Sequence, residues 1–195
     1  MKVILTSKGF ENIKVFNKIK KKLNIEIDKI RMLVIPIARK GRYNKEKYMK
    51  DYIELGFKEE NVYFFDDEHP QEFEDLGIDI IYVCGGNTFE LKHYLKKSGF
   101  EKKIYSYLNK GVTYIGASAG SYIATKSIKH VLEFDENTIN EKDMSGLNLY
   151  DGILICHYDS SRREYYNKLI EKNEKVETLT DDEIMYLNDN EWIKE

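Results

Sequence analysis

Short apolar runs of strand length alternate, over the first two thirds of the chain, with stretches in which apolar positions recur every three or four residues. That alternation is the sequence form of a parallel sheet with crossover helices. KVILTS (2–7) predicts a first strand. FENIKVFNKIKKKL (10–23) follows as a helix, with Ile13, Phe16, Ile19 and Leu23 on one face. RMLVIPIA (31–38) predicts a second strand, YNKEKYMKDYIELGF (43–57) a second helix and NVYFF (61–65) a short third strand. DDEHPQEFEDL (66–76) supplies turn residues and room for one helical turn. DIIYVCGG (79–86) has the unbroken apolar character of a strand buried on both faces, and NTFELKHYLKKSGF (87–100) is a helix capped by Asn87 or Thr88. A further helix, FEKKIYSYLNKG (100–111), leads to the strand VTYIGA (112–117). Between 127 and 151 the pattern weakens into polar, loop-like sequence that is expected to border a pocket. Beyond it come a strand GILICHY (152–158), a helix SRREYYNKLIEKN (161–173), and short strands around KVETLT, IMYLN and EWIKE. The pattern predicts an α/β three-layer sandwich around a mostly parallel central sheet.

Composition narrows what such a sheet can serve. With 195 residues, 42% of them hydrophobic, the chain is sized for one core, and no linker or repeat divides it, so residues 1–195 are expected to form a single domain. The net charge of -3, with lysines interleaved among glutamates, offers no field for polyanions, so nucleic acid is not an expected partner. The two cysteines, Cys84 and Cys156, lie inside apolar runs and are expected to be buried, free thiols, as in a reducing compartment. The short apolar stretch at the start fits neither a signal peptide nor a membrane span, which points to the cytoplasm and to no membrane partner.

The candidate chemistry lies in YIGASAGSYIAT (114–125). Gly116-Ala117-Ser118-Ala119-Gly120 is a G-x-S-x-G between a predicted strand and a predicted helix. In that context it reads as a nucleophile elbow, where small neighbours let a strained backbone hold the serine hydroxyl out. The competing reading is a small-residue turn where a helix packs closely on a strand. A serine nucleophile needs a base, and the chain has four histidines. His69, His93 and His130 read as surface residues. His157 closes the apolar run GILIC, at a strand end where such folds deliver functional side chains. The orienting acid is sought in TLTDDEIMYL, among Asp181, Asp182 and Glu183, with Asp135 and Asp159 as further candidates. The second glycine cluster, CGGNTFEL (84–91), also sits at a strand-to-helix junction, where an N–H could help complete an oxyanion hole opposite Ala119. It lacks the P-loop lysine and the G-x-G-x-x-G spacing, so a nucleotide site is not expected.

Together, CGGNTFELKHYL, GVTYIGASAGSYIA and GLNLYDGILICHYD resemble, in order and separation, the signature blocks of the peptidase E family, the aspartyl dipeptidases related to cyanophycinase. The resemblance covers most of the chain. It implies a fold like class I glutamine amidotransferases and hydrolysis after an N-terminal aspartate, with no metal or other cofactor. By position, Ser118 matches the nucleophile, His157 the base, and the N–H groups of Gly86 and Ala119 the oxyanion hole. Asp181 matches the acid, where the family carries a glutamate, and Glu183 is its rival. Cys84 stands where a third glycine is frequent, Cys156 where a proline is common, and the tail is shorter than in well-known members. Substrate contact falls to Asn87 and Thr88. The cations available for an acidic side chain are Arg39, Arg42, Arg162 and Arg163. A small peptide is the expected partner, and a homodimer is compatible with the sequence. A non-catalytic or regulatory binding domain that keeps the elbow as architecture, a cyanophycinase-like or isopeptide hydrolase, and an esterase are the alternative readings.

Overall fold

In a computed structural model that describes residues 2–39, 43–67, 69 and 76–195, with Arg39 described for its backbone alone, the predicted strands lie side by side. They are β1 (Lys2–Thr6), β2 (Met32–Ile35), β3 (Val62–Phe64), β4 (Ile80–Val83) and β5 (Thr113–Ala117), and they pair in parallel in the order β3-β2-β4-β5-β1. β8 (Ile184–Asn188) adds to β1 in antiparallel fashion and β9 (Glu191–Lys194) adds to β8, giving seven strands. The strand GILICHY does form, as β6 (Ile153–Ile155), but it pairs in parallel with β7 (Val176–Thr178) in a separate two-stranded sheet.

Alternation along the strands sorts the core into two layers. Val3, Leu5, Leu33, Ile35, Ile81, Val83 and Tyr114 face one side. There they meet α3 (Thr88–Lys97), α4 (Phe100–Asn109) and α5 (Ala119–Ile123) through residues such as Phe89, Phe100, Ile104 and Tyr122. Ile4, Met32, Val34, Ile80, Tyr82 and Ile115 face the other side. They pack on α1 (Ile13–Leu23) through Val15, Phe16 and Ile19, and on α2 (Lys45–Glu54) through Tyr52. Both strand faces are therefore buried, which is why these strands read as continuous apolar runs. α1 starts at Ile13 because the Asn12 side chain accepts the Lys14 N–H, and α3 starts at Thr88 because Asn87 accepts from Phe89 and Glu90. The last helix, α6 (Arg163–Glu171), follows β6. The helical turn expected in 66–76 falls largely outside the described residues.

The weakly patterned stretch 127–151 is laid along α3 by polar contacts. Lys92, only 1% exposed, donates to both oxygens of Glu101 at 2.9 and 3.0 Å and to Ser145 Oγ at 3.1 Å, with Asp143 3.5 Å away. A buried ammonium is tolerable only with such partners, and removing one would leave a charge uncompensated. His93 meets Glu141 at 3.2 Å and Lys96 meets Asp143 at 2.9 Å on the same helix face. At the head of α3, Asp135 accepts from the Thr88 N–H and hydroxyl at 2.8 and 2.6 Å.

Candidate active site

The carboxyl ends of β1, β4 and β5 lie together, with Thr6 opposite Ala117 and Val83 opposite Gly116. Ser118 follows β5 at φ 49° and ψ -107°, a conformation that costs about 1–3 kcal/mol for a residue with a side chain. Two close approaches force that turn. A Cβ on Gly120 would stand 2.2 Å from the Val83 carbonyl oxygen, and one on Gly116 would stand 2.6 Å from the Gly120 carbonyl oxygen. The motif is thus a small-residue turn of tight packing whose strained backbone carries a half-buried serine. Ser121 locks it from beneath, where its buried hydroxyl accepts the Thr6 N–H and lies within 2.9 Å of the Thr6 and Gly116 carbonyls.

His157, just past β6, brings its Nε2 to 3.0 Å from Ser118 Oγ, and its Nδ1 stands 2.6 Å from Asp181 Oδ1. A carboxylate can only accept, so the ring proton sits on Nδ1 and the Nε2 lone pair accepts the serine hydroxyl. Serine, imidazole and carboxylate therefore form one hydrogen-bonded chain of the kind that activates a serine. Of the carboxylates named from the sequence, Asp181 is the one that bonds to His157. Glu183 turns its Oε2 to the Thr180 N–H at 2.7 Å, and Asp182 pairs with Asn12 and Lys14. Asp159 caps the turn at Ser161, and Asp135 holds Thr88. Ala119 is the first residue of α5, so its N–H has no acceptor inside the helix, and Gly86 takes φ 144°, open to glycine and costly for other residues.

The other named residues fall differently. Asn87 and Thr88 spend their side chains locally: Asn87 caps α3 and donates to the Glu136 carbonyl, and Thr88 donates to Asp135. Arg162 donates through Nη1 to the Cys156 carbonyl at 2.6 Å and to the Tyr122 hydroxyl at 3.0 Å, with its guanidinium 4.2 Å from the Phe134 ring centre. Arg163 is exposed at the start of α6. Arg42 and the Arg39 side chain lie outside the described residues. Cys84 and Cys156 are buried and form no disulfide, and burial pushes Cys156 up to about 12, far from a thiolate at neutral pH.

The expectation of a surface position for His130 is corrected. It is 7% exposed, with Nδ1 3.1 Å from the Ser127 carbonyl and Nε2 3.0 Å from the Leu154 carbonyl, and burial lowers it to about 4. Its lysine-rich neighbours in sequence hid a ring that is turned inward. His93, likewise taken as a surface residue, is half-exposed and bonded to Glu141. Sequence reasoning also missed Ser7 and Lys8. Ser7 Oγ accepts the His157 N–H at 2.9 Å and donates to the Leu179 carbonyl at 2.8 Å, and Lys8 Nζ stands 3.6 Å from Asp181 Oδ2. Their one sequence signal is position, at the carboxyl end of a central strand.

The model of Peptidase family S51 matches residues 3–194. The chain belongs to peptidase family S51. It is 38% identical over 85 residues to an uncharacterized peptidase of Listeria monocytogenes serovar 1/2a, a match covering 43% of this chain and 42% of that one. It is 35% identical over 101 residues to a peptidase E of Shewanella oneidensis, covering 51% of this chain and 42% of that one. Among the curated relatives matched, the shared stretch spans from 40% to 58% of the relative's own length. A crystal structure from Listeria monocytogenes EGD-e, assigned to peptidase E, superimposes with a TM-score of 0.80 at 25% identity, over 100% of this chain and 97% of that one. Membership of S51 bears out the resemblance read from the three sequence blocks, and the mostly parallel sheet between helical layers bears out the expected fold.

Proposed function

We propose that this S51 chain is a serine hydrolase of short peptides, cleaving dipeptides with an N-terminal aspartate through an acyl-enzyme. The observation that carries the reading is the Ser118–His157–Asp181 hydrogen-bonded chain at the carboxyl edge of the sheet. Ser118 Oγ attacks the scissile carbonyl as His157 Nε2 takes its proton, and Asp181 holds the imidazolium that results. The negative charge on the tetrahedral carbonyl oxygen falls to the N–H groups of Ala119 and Gly86. His157 then returns the proton to the leaving amine, and water repeats the sequence to release the acid. The substrate's side-chain carboxylate calls for a cation, and Arg162, whose hydrogen bonds above both use Nη1, Arg163, Arg39 and Arg42 are the candidates. The chain acts in the cytoplasm as a single domain without a cofactor.

Hydrolysis of Asp-Leu and Leu-Leu by the purified protein and by Ser118→Ala tests this reading. The expected outcome is cleavage of Asp-Leu alone, reduced about 10⁴-fold or more in the variant, whose fold is intact. Turnover retained by Ser118→Ala would rule the mechanism out, and equal cleavage of both peptides would rule out the acidic specificity while leaving the mechanism standing.

A further inference from the structure

Three consecutive residues at the end of β1 each touch a different part of the relay. The Thr6 carbonyl accepts the Ser118 N–H at 2.9 Å. Ser7 Oγ accepts the His157 N–H at 2.9 Å and donates to the carbonyl of Leu179, two residues before Asp181, at 2.8 Å. Lys8 faces the outer oxygen of Asp181 from 3.6 Å. The Lys8 pair is nearly half exposed, where such contacts contribute little. Ser7, in contrast, is 2% exposed.

His157 and Asp181 come from the ends of β6 and β7, whose small sheet shares no strand ladder with the central sheet among the described residues. Backbone anchors them at a distance: the Leu149 and Tyr150 N–H groups donate to the Ala124 carbonyl at the end of α5, and β8, beginning three residues after Asp181, pairs with β1, so close to Ser118 the two segments are held by side-chain ties. Tyr122 supplies one, its hydroxyl accepting the Cys156 N–H at 3.2 Å, and Ser7 ties both ends at once. His157 also stands at φ 51°, a conformation that a side-chain-bearing residue keeps only when its surroundings hold it. We propose that Ser7 is a positioning residue for the relay, its hydroxyl fixing the histidine and acid segments against the strand that abuts the nucleophile. It touches no reacting atom. The effect on turnover rests on the hydrolytic reading above, whereas the placement of His157 does not.

Two measurements on Ser7→Ala, beside wild type and Ser7→Thr, test the assignment. One is the downfield proton resonance of His157 Nδ1–H, which reports its short hydrogen bond to Asp181 without any substrate. The other is the rate at which a fluorophosphonate labels Ser118. The expected result is a lost or upfield-shifted resonance in Ser7→Ala, with labelling slowed about 10- to 100-fold because ångström-scale misplacement of a reacting group costs that much. Ser7→Thr, which keeps the hydroxyl, should recover most of both. If Ser7→Ala does not fold, Ser7→Cys keeps the volume, weakens both hydrogen bonds and takes its place. An unchanged resonance in a folded variant would overturn the assignment. A wild type that shows the resonance but resists labelling would instead overturn the hydrolytic reading, leaving the positioning to be decided by the resonance.

Discussion

The elbow that carries Ser118 and the arm that carries His157 and Asp181 are held by different physics. The elbow lies within the central sheet, its neighbours Ala117, Ala119, Gly120 and Ser121 all buried, and its shape follows from backbone approaching backbone at Gly116 and Gly120. The arm projects from a two-stranded sheet, its histidine side chain 31% exposed and its aspartate 46% exposed, and the hydroxyls of Ser7 and Tyr122 supply its hydrogen bonds nearest the elbow. A site can thus have one partner set by packing, which tolerates no added atom, and another set by hydrogen bonds, which tolerate substitution at the expense of alignment.

The largest effect should come from adding a methyl group to the elbow. Gly120→Ala drives a Cβ onto the Val83 carbonyl, so the variant should lose about 3 kcal/mol or more in urea unfolding, together with all serine reactivity. A folded, active Gly120→Ala would mean that the elbow is as yielding as the arm. On the arm, Asp181→Asn should lower turnover about 10²- to 10⁴-fold with the unfolding midpoint nearly unmoved. Glu183→Ala should do the reverse, costing about 1 kcal/mol for the lost acceptor of the Thr180 N–H while turnover is kept. If the two exchange these phenotypes, the acid is Glu183 and the arm has been misread.

A smaller effect, graded with pH, should come from His130, whose ring abuts the β6 carbonyl of Leu154. Burial lowers its folded value from 6.5 to about 4, so between those limits the unfolded chain binds more protons and stability falls as pH falls. The loss amounts to about 3 kcal/mol once the pH is below 4, and Tm measured from pH 7 to 4 should fall less steeply in His130→Gln. Equal slopes would show that His130 does not couple the arm to acid.

The same division explains what could be seen in the sequence. Strands β1, β2, β4 and β5 were legible because burial on both faces leaves runs of consecutive apolar residues, and Ser118 was legible because tight packing demands glycines at fixed spacing. His157 could be singled out from its place after an apolar run. The choice of Asp181 over Glu183 could not be made, because two carboxylates in one turn differ only in where the chain aims them. Nor could the detachment of β6 from the central sheet, since a three-residue apolar strand reads alike in either sheet. Ser7 and His130 stayed hidden for a common reason: nothing local marks a hydroxyl or an imidazole that is turned toward a partner more than 20 residues away.

β1 lies between β5 and β8, and so joins the first residues of the chain to stretches that follow more than 100 residues later. During synthesis, β1 waits for neighbours made much later, and such long-range pairing is slow to form. Ser118 emerges well before His157 and Asp181, so a growing chain carries the hydroxyl without its imidazole partner. The hydrogen-bonded chain can therefore close only after the stretches that separate its three members have been made.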